Sequence, residues 1–259
     1  MLTDNSMILA QPWGGLGDNL QFSTLPELCS QSGINFYLSA ENAYRNREIY
    51  DLVWRDNPYV VGVLPLPPNA GAVAPAIPHR SYYNMIGINE MRHGFLAYNQ
   101  YAKIYYTPRL LEEYKDSIVV DAGSITCFRD GLYDKLLVEK LLAEFVGDNF
   151  FYSITTKFDA TFAKAQTPNN GSILLLRDLF HYCDIIHSCK TFVCLWSGSH
   201  LLSSCIKFHY DSAVDIFCLY PQHGFKSFDE TLDKRCWVVD NVKYITKDAA
   251  IRTTGTSEE

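Results

Sequence analysis

Residues 7 to 28 read MILAQPWGGLGDNLQFSTLPEL. The stretch opens on a short apolar run, Met7 to Gln11, with the character of a strand. Gly14-Gly15-Leu16-Gly17 then turns the chain. From Asp18, residues 18 to 31 place apolar side chains at 20, 22, 25, 28 and 29. That is close to helical spacing, despite Pro26. A strand, a glycine turn and a helix in direct succession begin an α/β unit.

The same rhythm continues outward. Ile34 to Ser39 reads as a second strand. Residues 41 to 56 carry Tyr44, Ile49, Tyr50, Leu52, Val53 and Trp54, which suits an amphipathic helix ending before Pro58. Tyr59 to Leu64 is a third strand. The order β–α–β–α–β with short connections predicts a parallel sheet with right-handed crossovers. Residues 65 to 80 hold five prolines and no periodicity, so they read as a loop. Ser81 to Phe95 reads as a helix. Ala97 to Asp116, polar and aromatic with Pro108 inside it, is the candidate linker.

A second α/β pattern follows. Ser117 to Val120 is a strand, and Tyr133 to Phe145 a helix with Leu136, Leu137, Leu141, Leu142 and Phe145 on one face. Phe150 to Thr155 is a strand, Ser172 to Leu176 a short apolar run, and 177 to 189 a helix. Thr191 to Leu195 is a strand, WSGS a turn, and His200 to Ile206 a helix. Ile216 to Tyr220 and Lys243 to Ile245 are late strands. The expected fold class is α/β with two Rossmann-like parallel-sheet domains, 1–108 and 109–250, and a flexible polar tail over 251–259.

Composition bounds the function. The chain has 259 residues, and roughly 150 residues per domain allows one large domain or two small ones. Apolar residues make up 47% and charged residues 20%, so a packed core is expected and a disordered chain is excluded. The net charge of −7 argues against sequence-independent nucleic-acid binding, which needs a basic surface. A local anion site stays possible against that global sign. The eight cysteines show no CxxC and mostly lie in apolar runs, so they read as small buried hydrophobes in a reducing compartment. MLTDNSMILAQPW lacks the basic, then apolar, character of a secretory signal. No apolar run reaches the roughly 18 residues that span a bilayer. A soluble cytoplasmic protein is the expectation.

The first glycine turn admits two readings. Glycine lets a ligand approach the main chain, and a helix start offers unpaired N–H groups. A dinucleotide fingerprint would need a glycine at position 20, which is Leu20, yet Glu41 stands where a nicotinamide enzyme places its ribose-binding acid. An oxidoreductase therefore stays open as an alternative. Asp18 is either an N-terminal helix cap or a general base facing a substrate hydroxyl, at the carboxyl end of the first strand.

FVCLWSGSHLLSSCI, residues 192 to 206, repeats the pattern in the second half. The N–H groups and hydroxyls of Ser197, Gly198 and Ser199 at a helix start can hold a phosphate. His200 adds a donor, or is a structural hydrogen-bonder.

Together, GGLGDNLQFSTLPEL and WSGSHLLSSCI resemble the glycosyltransferase superfamily of the GT-B fold, in its ADP-heptose:lipopolysaccharide heptosyltransferase-like branch. Gly17, Asp18, Thr24, Leu25 and Pro26 match that branch's opening block. Ser197, Gly198, His200 and Leu201 match part of its second-domain turn. The resemblance implies two domains facing a cleft in a compact GT-B enzyme, with the acceptor side in 1–108 and the donor side in 109–250. It implies Asp18 as the base that deprotonates the acceptor hydroxyl. It implies that Ser197, Gly198, Ser199 and His200 hold the donor diphosphate, together with Gly123-Ser124 after the first strand of the second half. Arg129 or Lys157 either supplies the cation for the leaving diphosphate or is a solvated surface charge. On the acceptor side stand Gly14, Gly15 and Gly17, with Asn84 and His93 beyond the proline-rich loop. The partners implied are a nucleoside-diphosphate sugar and a glycan or glycoconjugate acceptor, with inversion of configuration.

No Asp-x-Asp metal motif occurs, and neither a metal nor a cofactor is expected. Three departures bear on the donor. Trp196 replaces the branch's acid ahead of the Ser-Gly turn, the Ser-Gly-Ser-His spacing is one residue short, and the chain is shorter than typical members. ADP-heptose is therefore not carried over. A non-catalytic nucleotide- or glycan-binding protein on the same fold is a further alternative.

Overall fold

The computed structural model describes residues 5–66, 84–96, 99–123, 135–155, 171–219 and 238–245. The chain divides into two compact units. Unit 1 comprises Met1–Thr107 and Thr231–Val239, and unit 2 comprises Pro108–Glu230 and Asp240–Glu259.

Unit 1 is built on three parallel strands in the order β1 (Ser6–Leu9), β2 (Asn35–Ser39) and β3 (Val60–Leu64). Ser6 to Leu9 pair in register with Asn35 to Leu38. The central strand buries Phe36 and Leu38 completely. The helix expected over 18 to 31 is two helices, α1 (Leu16–Leu20) and α2 (Leu25–Gln31). Pro26 explains the break: proline is accommodated in a helix's first turn, and here it stands in the first turn of α2, directly after Leu25. Gly33, with φ of 69°, lets the chain leave α2 through the left-handed region.

The helix expected over 41 to 56 is shorter. Asn46 caps it by accepting the Ile49 N–H at 3.1 Å. It runs as α3 (Arg47–Tyr50) and widens into a π-turn over Asp51–Arg55. Its Trp54 ring stacks on Phe36, with centroids 6.4 Å apart. The last described helix of this unit is α4 (Met85–Arg92).

Unit 2 carries six parallel strands: β4 (Ile118–Asp121), β5 (Phe151–Thr155), β6 (Gly171–Leu175), β7 (Thr191–Leu195), β8 (Asp215–Leu219) and β9 (Lys243–Ile245). Their order across the sheet is β6-β5-β4-β7-β8-β9. The chain thus builds outward from β4 in one direction, then returns to β4 and builds outward in the other. This is the doubly wound Rossmann order, with its topological switch point between β4 and β7. Ile118 to Asp121 pair in register with Thr191 to Cys194 across that point. β7 buries Phe192, Val193, Cys194 and Leu195 on both faces, as a central parallel strand covered by helices must.

Three described helices accompany this sheet. In α5 (Lys135–Val146) the buried stripe is Val138, Leu142 and Val146. Of the expected face, Leu142 is buried, Leu141 and Phe145 are half-buried with Phe145 packed on Phe217, and the side chains of Leu136 and Leu137 lie outside the described residues; Val138 and Val146 join the stripe. In α6 (Leu179–Ser188), Asp178 caps the start by accepting the His181 N–H at 2.7 Å. In α7 (Gly198–His209), Leu201, Leu202, Cys205 and Ile206 face inward. Six described cysteines are free and buried, as small hydrophobes are. No helix among the described residues is long and apolar enough to cross a membrane.

Candidate functional site

In unit 1 the first glycine turn is clamped by the segment after β2. The Arg45 N–H donates to Gly14 O at 2.8 Å. A Cβ on Gly14 would stand 2.8 Å from Arg45 N and 3.1 Å from the Tyr44 carbonyl carbon. The contact is backbone on backbone, so only glycine fits. A Cβ on Gly15 would meet Asp18 Oδ2 at 2.7 Å and Arg45 Nη2 at 3.8 Å. The space left by that missing carbon is therefore flanked by a carboxylate and by an exposed guanidinium.

Asp18 is the third residue of α1 and is half-buried. Its Oδ2 accepts the Gly15 N–H at 2.9 Å, the helix-start role expected as one of its two readings. Among the described residues, its Oδ1 makes no hydrogen bond. Gly17 lies within α1. With only five residues, α1 aligns few peptide dipoles, so the anion-binding helix start expected here is weak.

Asn19 is the hub behind the turn, and sequence reading passed over it. It is fully buried. Its Oδ1 accepts Gln11 Nε2 at 2.7 Å and Trp54 Nε1 at 2.8 Å, and its Nδ2 donates to Gly15 O at 2.9 Å. One amide thus ties the end of β1, the π-turn and the glycine turn together. The only advance signal was its place directly after Gly-Asp.

The other unit 1 candidates are engaged by their own chain. Asn84 caps α4, accepting the Ile86 and Gly87 N–H groups at 3.1 and 3.2 Å, and its Nδ2 donates to Gln100 O. His93 ends α4, with Nδ1 2.7 Å from Asn89 O and its ring edge-on to Phe22. Burial lowers the pKa of His93. Glu41, the acid of the dinucleotide alternative, accepts from the Ser39 hydroxyl and from the Leu66 N–H at 3.2 Å. Its carboxylate pKa is lowered, chiefly by the Ser39 bond.

In unit 2 the second small-residue turn lies at the carboxyl end of β7, on the switch point. Ser197 caps α7. Its Oγ accepts the Ser199 N–H at 3.3 Å, and its backbone N–H donates to His200 Nδ1 at 3.2 Å. His200 is buried and lies beneath Trp196, their rings nearly parallel with centroids 6.4 Å apart. This is a reciprocal capping arrangement at the start of α7. Gly198 is the first residue of α7, and no turn of helix precedes it to accept its N–H.

Asp121, at the carboxyl end of β4, faces this turn and was not singled out from sequence. It is 9% exposed. Gly123 N–H donates to its Oδ1 at 2.9 Å, and the hydroxyls of Tyr182 and Ser199 both donate to its Oδ2. The Ser197 hydroxyl lies 3.2 Å from Ser199 Oγ, so a chain of hydroxyls leads from the turn to the carboxylate. The Tyr182 pKa is raised well above its ordinary value, by burial first and by the Asp121 charge second. Gly123 and Ser199 are thus brought together around one carboxylate. Ser124, Arg129 and Lys157 lie outside the described residues. Among the described residues, no group of three or more His, Cys, Asp or Glu side chains is placed to hold a metal.

No family model and no curated protein sequence matches this chain. Solved structures do. The iron-containing dodecameric glycosyltransferase TibC from enterotoxigenic E. coli is 12% identical with a TM-score of 0.51, over 83% of this chain and 57% of that one. The iron-containing heptosyltransferase TibC in complex with ADP-D-beta-D-heptose is 14% identical with a TM-score of 0.56, over 85% and 59%. A glycosyl transferase family 9 protein from Veillonella parvula is 10% identical with a TM-score of 0.55, over 93% and 84%. The chain therefore matches less than two thirds of the length of TibC. At these identities the likeness is one of fold: the chain has the α/β fold of GT-B glycosyltransferases and is structurally similar to heptosyltransferases.

Proposed function

We propose that the protein is a glycosyltransferase that moves a sugar from a nucleoside-diphosphate donor to a hydroxyl of a glycan or glycoconjugate, without a metal ion. One observation carries the reading. In a chain with this transferase fold, a small-residue turn starts the 12-residue helix α7 at the switch point of a doubly wound sheet, where such sheets bind their ligands.

In this reading the donor diphosphate lies at the start of α7, against Ser197, Gly198, Ser199 and His200 and the Gly123-Ser124 loop. Arg129 or Lys157 supplies positive charge. The acceptor lies against Gly14, Gly15 and Gly17. Asp18, through its Oδ1, takes the proton of the acceptor hydroxyl. The acceptor oxygen bonds to the anomeric carbon as the bond from that carbon to the β-phosphate oxygen breaks. The electron pair leaves with the diphosphate, and configuration inverts.

Two measurements test this. A panel of nucleoside diphosphates and NAD is screened by thermal shift. A rise in Tm with a nucleoside diphosphate and none with NAD is expected, and the reverse pattern rejects the reading in favour of an oxidoreductase. Turnover of sugar nucleotides by Asp18→Asn is then compared with that of the unaltered protein. A loss of at least about 100-fold is expected of a general base. The Asp18–Gly15 contact also suits a non-catalytic binding protein, and binding without turnover in the unaltered protein selects that second reading.

A further inference from the structure

A carboxylate stands beside the two loops that the proposed function gives to the diphosphate. The carboxylate of Asp121 is nine-tenths buried at the switch point and accepts from Gly123 N–H and from the Tyr182 and Ser199 hydroxyls. Gly123 and Ser199 belong to the two loops that the proposed function gives to the diphosphate. The protein's own carboxylate therefore already engages donors of that site. A diphosphate held by the same loops lies close to a fixed like charge, in surroundings that screen it only in part.

The ligand's charge changes during the proposed reaction. In the sugar nucleotide both phosphates are diesters in effect, each with one negative charge. Once the anomeric carbon–oxygen bond breaks, the β-phosphate is terminal. A terminal phosphate has a second ionisation near pH 6 and so carries an added charge at neutral pH. Repulsion from a fixed carboxylate grows in proportion to that charge.

We propose that Asp121 discriminates between donor and product, weakening the hold on the departing nucleoside diphosphate relative to the intact sugar nucleotide and so favouring product release. The inference rests on the proposed donor site. It differs from a purely structural role, in which Asp121 would only hold β4, α6 and α7 together and would affect both ligands alike.

The test is calorimetric titration of ADP against ADP-glucose, and of UDP against UDP-glucose, with the unaltered chain and with Asp121→Asn. In the variant, the Kd of the nucleoside diphosphate is expected to fall roughly tenfold relative to that of its sugar nucleotide, the size of one charge-charge term at a few ångströms in partly screened surroundings. Asp121→Thr, which is also neutral and suits a strand end, serves if the amide variant does not fold. A Kd ratio that stays unchanged in a folded variant overturns the inference while leaving the donor site standing. If the unaltered chain binds neither member of either pair, the donor site itself is rejected, and this inference with it.

Discussion

The carboxylate of Asp18 closes back on the amide of Gly15, Oδ2 to N at 2.9 Å, and fills the space a Gly15 side chain would occupy. The two residues are therefore coupled. The backbone of Gly15 is extended, with φ of −72° and ψ of 160°, which alanine adopts without strain. The only obstacle to Gly15→Ala is the flexible end of Asp18, 2.7 Å from the new carbon. We expect this variant to change stability by less than about 1 kcal/mol, since the carboxylate can swing away. Transfer is expected to fall about tenfold or more, because a base displaced by an ångström loses its alignment. Chemical denaturation and single-turnover transfer separate the two effects, and full activity would reject the base assignment.

Gly14 gives the opposite pattern. Its missing side chain faces the backbone of Tyr44 and Arg45, which has no free rotamer to yield. Gly14→Ala is expected to destabilise unit 1 by about 1–3 kcal/mol, the usual penalty of overpacking. A denaturation midpoint equal to that of the unaltered protein would contradict the clamp.

Asn19 carries a larger share of unit 1. Asn19→Ala leaves the buried amide of Gln11 and the indole N–H of Trp54 without their acceptor. Each stranded donor costs about 1–3 kcal/mol, so a loss of about 2–4 kcal/mol is expected after partial relaxation. Loss of near-ultraviolet circular dichroism from Trp54 at the same denaturant concentration as the main transition ties the effect to this hub. A variant as stable as the parent would mean the network is dispensable.

How far these features could be read in advance depends on their range along the chain. Thr191 to Leu195 was legible to the residue, because a strand buried on both faces is a continuous apolar run and Ser197-Gly198 ends it. The α1–α2 break was half legible: Pro26 was visible, but nothing local told that the chain would restart rather than bend. Asp121 was not legible. Its partners Tyr182 and Ser199 lie 61 and 78 positions away, so no local spacing links them. The strand order that brings β4 beside β7 is likewise a property of the crossovers, which apolar periodicity does not encode. Asn84 and His93 read as ligand candidates because polar residues beyond a loop look available. In the folded chain each also bonds a helix end, a pairing that local sequence does not announce.

Asp184 is hidden in the same way, a charge inside the apolar run of α6. It is fully buried, and Arg109, 75 positions earlier, gives it the backbone N–H at 2.8 Å, Nε at 3.1 Å and Nη2 at 2.9 Å. Asp184→Asn keeps the shape but turns an amide group toward the guanidinium fork. A loss of about 2–3 kcal/mol is expected, as for other broken buried charge pairs with some bonds retained. Arg109→Lys keeps the backbone bond and loses only the fork, so about 1 kcal/mol is expected. Equal effects from the two substitutions would show that the side-chain fork, and not the burial of Asp184, sets the energy.

The pH dependence of unit 1 follows from His93. Burial lowers its pKa in the folded state, against the ordinary value near 6.5 that it regains on unfolding. Below about pH 6.5 the unfolded chain therefore binds a proton that the folded chain resists, and stability falls as pH falls. Above that value both states hold a neutral imidazole and the contribution is complete. Arg92 next to it acts in the same direction, while the Asn89 carbonyl opposes both by bonding the charged ring. His181 in unit 2 is shifted downward as well, again chiefly by burial, and adds to the same trend. A Tm that drops between pH 7 and pH 5 is expected, and His93→Gln is expected to flatten part of that slope, because glutamine has no proton to gain. An equally steep slope in the glutamine variant would assign the dependence to groups other than His93.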